Sequence, residues 1–165
     1  MRGTTTSTLT ITEVIEHLLD EFQRRIQKRD LGAVDFGIDA YSFSKDIGNK
    51  DLIVRSCRAL SQFYTDIKSE FHQSIKVLQV GINLLDDEEN YEDKAELYRL
   101  LGLNYDYMGE LIKSKYAYDD SIRLLEAGEN LSNKGKLVMA RAQFNLSIIY
   151  GRLELPALSD VCLKN

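Results

Sequence analysis

The sequence predicts an all-α protein built from antiparallel helix hairpins, and three observations support this fold class. First, a pattern of leucine, a small residue, two further residues and tyrosine occurs at residues 60–64, 101–105 and 146–150, with successive copies 41 and 45 residues apart. Internal repeats of this period are typical of stacked helical hairpins. Second, no segment alternates apolar and polar residues as a half-buried strand does. Third, the 165 residues include one proline, which permits long uninterrupted helices.

Composition narrows the class of protein further. Hydrophobic residues make up 44% and charged residues 28% of the chain, which is typical of a globular domain. The formal net charge of -5 argues against direct binding to nucleic acid, because such domains are basic. No run of about 18 apolar residues indicates a membrane span, and the start of the chain lacks the apolar region of a signal peptide. We therefore expect a cytoplasmic protein in which Cys57 and Cys162 are free thiols.

The helical periodicity predicts four hairpins after a disordered, threonine-rich lead-in at residues 1–10. The first helix begins at Ile11, where Thr10 and Glu13 form a capping box, and it is broken at residues 30–32. The helical periodicity continues to the end of the chain and predicts one repeat domain over residues 11–165. The predicted hairpins span residues 11–46, 51–85, 91–127 and 133–165.

Turn and capping residues set the boundaries of the individual helices. A turn at residues 47–49 and an acidic loop at residues 86–90 separate the hairpins, and Asn90 in that loop is expected to cap the fifth helix. Gly109 ends the fifth helix. Pro156 suits the first turn of a short eighth helix, so the last hairpin is expected to be incomplete. From the second to the seventh, the predicted helices span residues 33–45, 51–66, 69–85, 91–108, 111–127 and 133–153.

The clearest copy of the repeat shows why its residues are of these types. Four residues at the spacing i, i+3, i+4 and i+7 share one helix face: Tyr98, Leu101, Gly102 and Tyr105. Glycine inside a helix costs roughly 1 kcal/mol relative to alanine, so we expect tight packing against the next helix to offset that cost. The residues expected to supply this packing are Ser114, Ala117, Tyr118 and Ser121. The copy at residues 60–64 carries one extra residue before its second helix.

These residues resemble the tetratricopeptide repeat, whose consensus has an aromatic residue, Leu-Gly and Tyr in the first helix and Gly at the turn. The matching residues are Tyr98, Leu101, Gly102, Tyr105 and Gly109. The second helix departs from the consensus, because serine replaces both alanines, at Ser114 and Ser121, and Glu126 replaces proline. The long period resembles that of Rap-type and PlcR-type quorum-response regulators of bacteria. The resemblance covers residues 31–165 and implies a right-handed superhelix of about seven to eight helices.

The resemblance also implies a concave groove lined by the first helix of each hairpin. The positions that correspond to the family's groove are Arg55, Arg58, Gln62, Glu96, Arg99, Leu103, Asp106, Arg141, Phe144, Ile148 and Arg152. Five of them are arginines, whose planar guanidinium suits carboxylates, so we expect capture of an acidic segment or a C-terminal carboxylate. The alternative is that the arginines pair with groove acids such as Glu96 and Asp106, or face solvent. The Lys/Asn pairs of the family's carboxylate clamp are not evident.

A protein- or peptide-binding module is therefore the function we expect, as the regulatory or sensory segment of a bacterial signalling protein. One alternative is an N-terminal sensor or dimerisation domain that acts on an output domain beyond Asn165, such as a nucleotide cyclase or a DNA-binding domain. In that alternative, a homodimer forms through the open C-terminal end. A minor alternative is a Rap-like phosphatase of response regulators, for which Gln23 is the available amide.

No residue pattern indicates enzymatic chemistry. His17 and His72 lack a second histidine at metal-ligand spacing. The acidic residues at 86–89 and at 119–120 lack the glycine and the spaced oxygen ligands of a calcium loop. We therefore expect no catalytic residue, no metal and no cofactor, and we expect the partner to be a protein or peptide with no contact to nucleic acid or membrane.

Overall fold

The computed structural model describes residues 10–153, and these residues form seven α-helices and no strand. This confirms the all-α class. The helices are α1 Ile11–Gln27, α2 Val34–Asp46, α3 Lys50–Phe63, α4 Phe71–Leu84, α5 Tyr91–Tyr107, α6 Leu111–Ala127 and α7 Asn133–Arg152. A short 3-10 turn, Leu31–Ala33, precedes α2, and a π-helical turn, Tyr64–Lys68, follows α3. Among the described helices, none has both the length and the apolar character needed to cross a bilayer.

Local capping explains where several helices begin. The predicted capping box is present: Glu13 N donates to Thr10 Oγ1 at 3.2 Å, and Thr10 N donates to Glu13 Oε2 at 2.7 Å. Asn49 caps α3 by accepting a hydrogen bond at Oδ1 from a backbone N–H of the first turn, and Ser132 Oγ does the same for α7. These side chains satisfy N–H groups that have no partner inside the helix.

The prediction that Asn90 caps α5 is wrong. Asn90 occupies the N-cap position, but its side chain accepts no hydrogen bond from the helix. Its backbone angles, φ -119° and ψ 26°, lie outside the extended region that an N-cap side chain needs to reach back to the first turn. Two acidic residues in the first turn, Glu92 and Asp93, instead complement the positive end of the helix dipole.

Packing follows the order of the chain. Each helix contacts the helices before and after it, and in addition α1 contacts α3 and α5 contacts α7. The connections between helices are short, so consecutive helices run antiparallel. A hydrogen bond of 2.9 Å from the Thr65 hydroxyl to Asn104 Oδ1 joins the π-helical turn after α3 to α5. The odd-numbered helices therefore lie side by side.

The core is divided into four successive clusters along this stack. The first joins α1, α2 and α3, where the Phe22 and Phe63 rings lie 5.7 Å apart between centroids. The second contains residues of the four helices α3, α4, α5 and α6, with Val54 and Leu97 among its members. The remaining two connect α5, α6 and α7. A core that is continued from one hairpin to the next is expected when each hairpin can bury its apolar faces only against its neighbours.

Gly102 has the role that the sequence predicts. A Cβ atom at this position would lie 2.8 Å from two ring carbons of Tyr118, which is fully buried. Ser114 Oγ donates to Gly102 O at 2.8 Å, and Ser121 Oγ donates to Ala95 O at 2.8 Å. The small residues therefore let α5 and α6 approach closely, and the two serines hold the helices together by hydrogen bonds to backbone carbonyls.

The π-helical turn accommodates the extra residue of the preceding hairpin. Ser74 Oγ donates to Ser61 O at 3.2 Å, which corresponds to the bond from Ser114 to Gly102 in the next hairpin. The partners are 13 residues apart in the first case and 12 in the second. Residues 64–68 take up the additional residue as a π-helical turn, so α3 ends at Phe63 and not at the predicted residue 66.

Three predictions lie wholly or largely outside the described residues. The lead-in was predicted for residues 1–10, of which the structure describes only Thr10, the N-cap of α1. The eighth helix, which was predicted to begin at Pro156, and the thiol of Cys162 also lie beyond residue 153.

Candidate functional site

A groove of about 520 Å³ lies along the side of the stack formed by the odd-numbered helices. α1, α3, the π-helical turn, α5 and α7 all contribute to its walls. Seven of the eleven positions predicted for the groove line it: Arg55, Arg58, Gln62, Glu96, Arg99, Leu103 and Arg141. Residues far apart in the sequence are therefore brought to one surface, as expected for the first helices of successive hairpins.

Arg99 lines the groove but its guanidinium is already occupied. Its Nε lies 2.6 Å from Glu96 Oε2 and its Nη2 lies 2.9 Å from Glu96 Oε1, and 8% of the residue is exposed. Burial lowers the pKa of Arg99, but the hydrogen bonds and charge of Glu96 outweigh that effect, so the pKa is raised. The expectation that the Arg99 guanidinium is available to a ligand carboxylate is wrong, because Arg99 and Glu96 form a bidentate ion pair within the protein.

Arg55 is also paired, with an acid of the first helix. Its Nη1 and Nη2 each lie 2.7 Å from an oxygen of Glu16, a bidentate arrangement that joins α3 to α1. The hydrogen bond from Arg55 lowers the pKa of the Glu16 carboxyl below its usual value. Both side chains are partly exposed, so water competes for this pair.

Arg58 and Arg141 are different, because neither has an ion pair or hydrogen bond with any residue in the range 10–153. Both line the groove and both are exposed. Arg58 lies on α3 and Arg141 on α7, with α5 and its neutralised pair between them. The groove therefore presents two guanidinium groups that no other residue in the range 10–153 occupies.

The groove also contains acids. Asp20 on α1 and Asp66 on the π-helical turn line it and have no ion pair with another described residue. Together with Arg58 and Arg141, they give the groove both negative and positive groups that are not neutralised by residues 10–153. A ligand with an asymmetric charge distribution is therefore expected to bind in one orientation.

Neutral polar groups complete the wall near α1. Gln23 Nε2 donates to Gln62 Oε1 at 3.1 Å, so the amide that the phosphatase alternative invokes lies in the groove and is bonded to α3. Behind this wall, Thr65 donates to Asn104, and Asn104 Nδ2 donates to Leu100 O at 2.9 Å. A buried and satisfied network of this kind fixes the relative positions of α3 and α5.

Four predicted groove positions lie outside the groove lining. Asp106 and Arg152 form an ion pair with each other, between α5 and α7. Phe144 and Ile148 are exposed on α7, at 58% and 43% of their surface. None of these four residues is among those that line this groove, and their part in a partner-binding surface stays a prediction.

The sequence analysis missed the contribution of α1. Leu19, Asp20 and Gln23 line the groove, yet α1 carries no copy of the Leu-small-x-x-Tyr pattern that located the other first helices. The apolar periodicity of α1 identified the face of α1 that packs on α3. The polar residues next to that face could have indicated which part of α1 lines the groove.

Neither a metal-binding cluster nor an ionised thiol is present among the described residues. No group of three or more His, Cys, Asp and Glu residues in the range 10–153 is placed to hold a metal ion. Cys57 is fully buried, and burial raises the pKa of its thiol to about 12, so it is almost wholly protonated near neutral pH.

Comparison with protein-family models, curated proteins and solved structures finds no match to this chain. The resemblance to the tetratricopeptide repeat therefore stays a prediction that rests on the motif residues and on the packing described above.

Proposed function

We propose that this protein is a peptide- or protein-binding module of stacked helical hairpins, arranged as a right-handed superhelix like that of tetratricopeptide repeats, and that its groove captures an acidic segment. The single observation that carries this proposal is that two arginines, Arg58 and Arg141, lie in a groove shared by four helices and have no partner among residues 10–153. The repeated serine-to-carbonyl bonds at Ser74 and Ser114 support the repeat architecture.

Acidic groups are the ligand chemistry that fits the groove. Two other arginines of the groove, Arg55 and Arg99, are paired with acids of the protein itself. Arg58 and Arg141 have no such acid among the described residues, so their guanidinium groups are available to the carboxylates of a ligand. A hydrogen-bonded contact between a ligand carboxylate and a guanidinium contributes about 1.5–3 kcal/mol when the bound ligand shields the pair from water. Two such contacts are enough to make the affinity depend strongly on the charge of these two residues.

A regulatory role follows from this mode of binding. The groove walls are fixed by core packing and by the Thr65–Asn104 bond, so the binding surface is formed before the ligand arrives. A preformed groove that recognises a short acidic segment suits a protein that senses or positions a partner without changing it chemically.

The test is selection of peptides from a random library displayed on phage. Wild-type protein serves as bait, together with an Arg58→Glu/Arg141→Glu variant. A Lys28→Glu/Lys76→Glu variant makes the same change in net charge at exposed positions outside the groove lining. We expect the wild type to enrich peptides rich in Asp and Glu, the groove variant to lose them, and the control variant to keep them.

Two results would contradict the proposal. Enrichment of peptides without acidic residues would show that the unpaired arginines do not select the ligand. Equal binding of the acidic peptides by the wild type and by the Arg58→Glu/Arg141→Glu variant would place the binding site elsewhere on the molecule.

A further inference from the structure

The outer surface of α7 carries an apolar stripe. Leu137, Phe144 and Ile148 are 50%, 58% and 43% exposed and lie at positions i, i+7 and i+11, which fall on one face of a helix. Large apolar side chains that are exposed singly need no explanation, but three in a row along one helix mark a surface that binds something.

The stripe is continuous with the groove. Arg141 occupies the position i+4 in the same series, between Leu137 and Phe144, and it also lines the groove. The stripe therefore places a cation that has no partner among the described residues beside apolar side chains. We use the name α7 stripe for these four residues: Leu137, Arg141, Phe144 and Ile148.

Charge decides what kind of partner suits the α7 stripe. The 20 residues of α7 include four cations, Lys134, Lys136, Arg141 and Arg152, and no acid. Two of these cations are neutralised by acids of α5, at Asp93 and Asp106. Of the other two cations, Arg141 lies within the stripe, where its charge disfavours a second copy of α7 and attracts an acidic partner.

The spacing of the apolar residues decides the shape of the partner. At a rise of about 1.5 Å per residue, Leu137 and Phe144 are about 10 Å apart along α7, and Phe144 and Ile148 about 6 Å. A second helix presents apolar side chains at the same intervals along its length. In an extended strand, neighbouring side chains point to opposite faces, so a strand does not match this spacing.

We propose that the α7 stripe docks an acidic amphipathic helix of a partner protein, with its apolar side chains on Phe144 and Ile148 and a carboxylate on Arg141. The inference rests on the proposed function, because Arg141 serves both surfaces. Beyond the proposed function, the inference states that the ligand has an apolar face next to its acidic face. The partner is therefore recognised by both faces and not by its negative charge alone.

Two synthetic peptides test the inference. Both have 15 residues, with glutamate and alanine at most positions. The Leu peptide has leucine at positions 1, 5, 8 and 12, and the Ser peptide has serine at those four positions. Binding to the full 165-residue chain is measured by fluorescence anisotropy. We expect the Leu peptide to bind at least about tenfold more tightly than the Ser peptide, since buried apolar anchors dominate such interfaces.

Variants locate the binding. Phe144→Asp and Arg141→Glu should each weaken binding of the Leu peptide by about tenfold or more. Tyr116→Asp is the matched control, because Tyr116 is 62% exposed on α6, away from the stripe. All three positions are exposed, and circular dichroism verifies that each variant keeps its helices.

Cross-linking identifies the occupant. In the full chain, a Phe144→p-benzoylphenylalanine substitution is irradiated with and without the Leu peptide, and the products are mapped by mass spectrometry. We expect cross-links to the peptide. Cross-links to α7 of a second copy, or to residues 154–165 of the same chain, that persist when the peptide is present would overturn the inference in favour of those occupants.

The two proposals fail in different ways. If both peptides bind equally well and Phe144→Asp has no effect, the α7 stripe is not a docking site, while the acidic groove stands. If neither peptide binds, the acidic groove fails together with the stripe.

Discussion

Replacing Arg99 tests the distinction between paired and unpaired arginines in the groove. The Arg99 and Glu96 side chains are 10% and 13% exposed, so the pair is almost completely removed from water. Arg99→Met keeps most of the apolar packing but leaves the Glu96 carboxylate buried without its partner. Breaking a buried ion pair costs about 3–5 kcal/mol, and because some of each side chain still contacts water we expect about 3 kcal/mol.

Urea unfolding followed by far-UV circular dichroism measures this loss. A loss of 3 kcal/mol corresponds to a fall in Tm of about 6–12 °C for a chain of this size. Arg58→Met is the matched control: this exposed, unpaired arginine should cost less than about 0.5 kcal/mol. A Glu96→Gln substitution added to Arg99→Met should restore at least about 1 kcal/mol, since the stranded charge is removed.

The reasoning would be refuted if Arg99→Met and Arg58→Met had the same small effect on the free energy of unfolding. In that case the Arg99–Glu96 pair would contribute nothing to stability, and Arg99 would have to be counted with the free cations of the groove. Additive effects of Arg99→Met and Glu96→Gln would point the same way.

Three further predictions concern the packing and the pH dependence of stability. Gly102→Val should destabilise the protein by about 2 kcal/mol in urea unfolding, because the new side chain meets the buried Tyr118 ring; an unchanged midpoint would contradict the close approach. Tyr118→Phe should raise stability by about 1 kcal/mol, because the buried Tyr118 hydroxyl lies near Ser114 and Asn145 but makes no hydrogen bond of normal geometry with a described residue; a clear loss of stability would show that one of these two contacts is a real bond. Glu16→Gln should cost stability at pH 6 but progressively less as the pH falls below about 4.5, because the pKa of Glu16 is lowered in the folded state and its stabilising effect is lost on protonation; a constant difference across that range would argue against the pair with Arg55.

Local patterns in the sequence were sufficient for much of the fold. The capping box at Thr10 and the tight helix crossing at Gly102 depend on residues within one or two hairpins, and the periodicity and small residues there are visible in the sequence. The π-helical turn was visible only as an extra residue, because the sequence shows an insertion but not which backbone conformation absorbs it. At Asn90 the residue type and the position both favour an N-cap of α5. The side chain nevertheless accepts no hydrogen bond from the helix, because the backbone of Asn90 is not extended.

The groove could be predicted only in part, for a similar reason. Repeat spacing places Arg58, Arg99 and Arg141 on the first helices of successive hairpins, but it does not say which of them finds an acid. The Glu96 carboxylate lies one turn before Arg99 on the same helix, whereas Arg58 has no acid at that spacing on α3. The pairing of Arg55 with Glu16 depends on how α1 packs against α3, which no repeat pattern in α1 revealed.

We propose that Arg58 and Arg141 bind carboxylates of the ligand and that Arg99 does not. An NMR titration of the arginine Nε–Hε signals with the Leu peptide tests this difference. We expect the signals of Arg58 and Arg141 to shift progressively as carboxylates bind, and the signal of Arg99, whose Nε is already bonded to Glu96, to stay in place. A shift of the Arg99 signal with no change at Arg58 and Arg141 would show that the paired arginine, and not the other two, contacts the ligand.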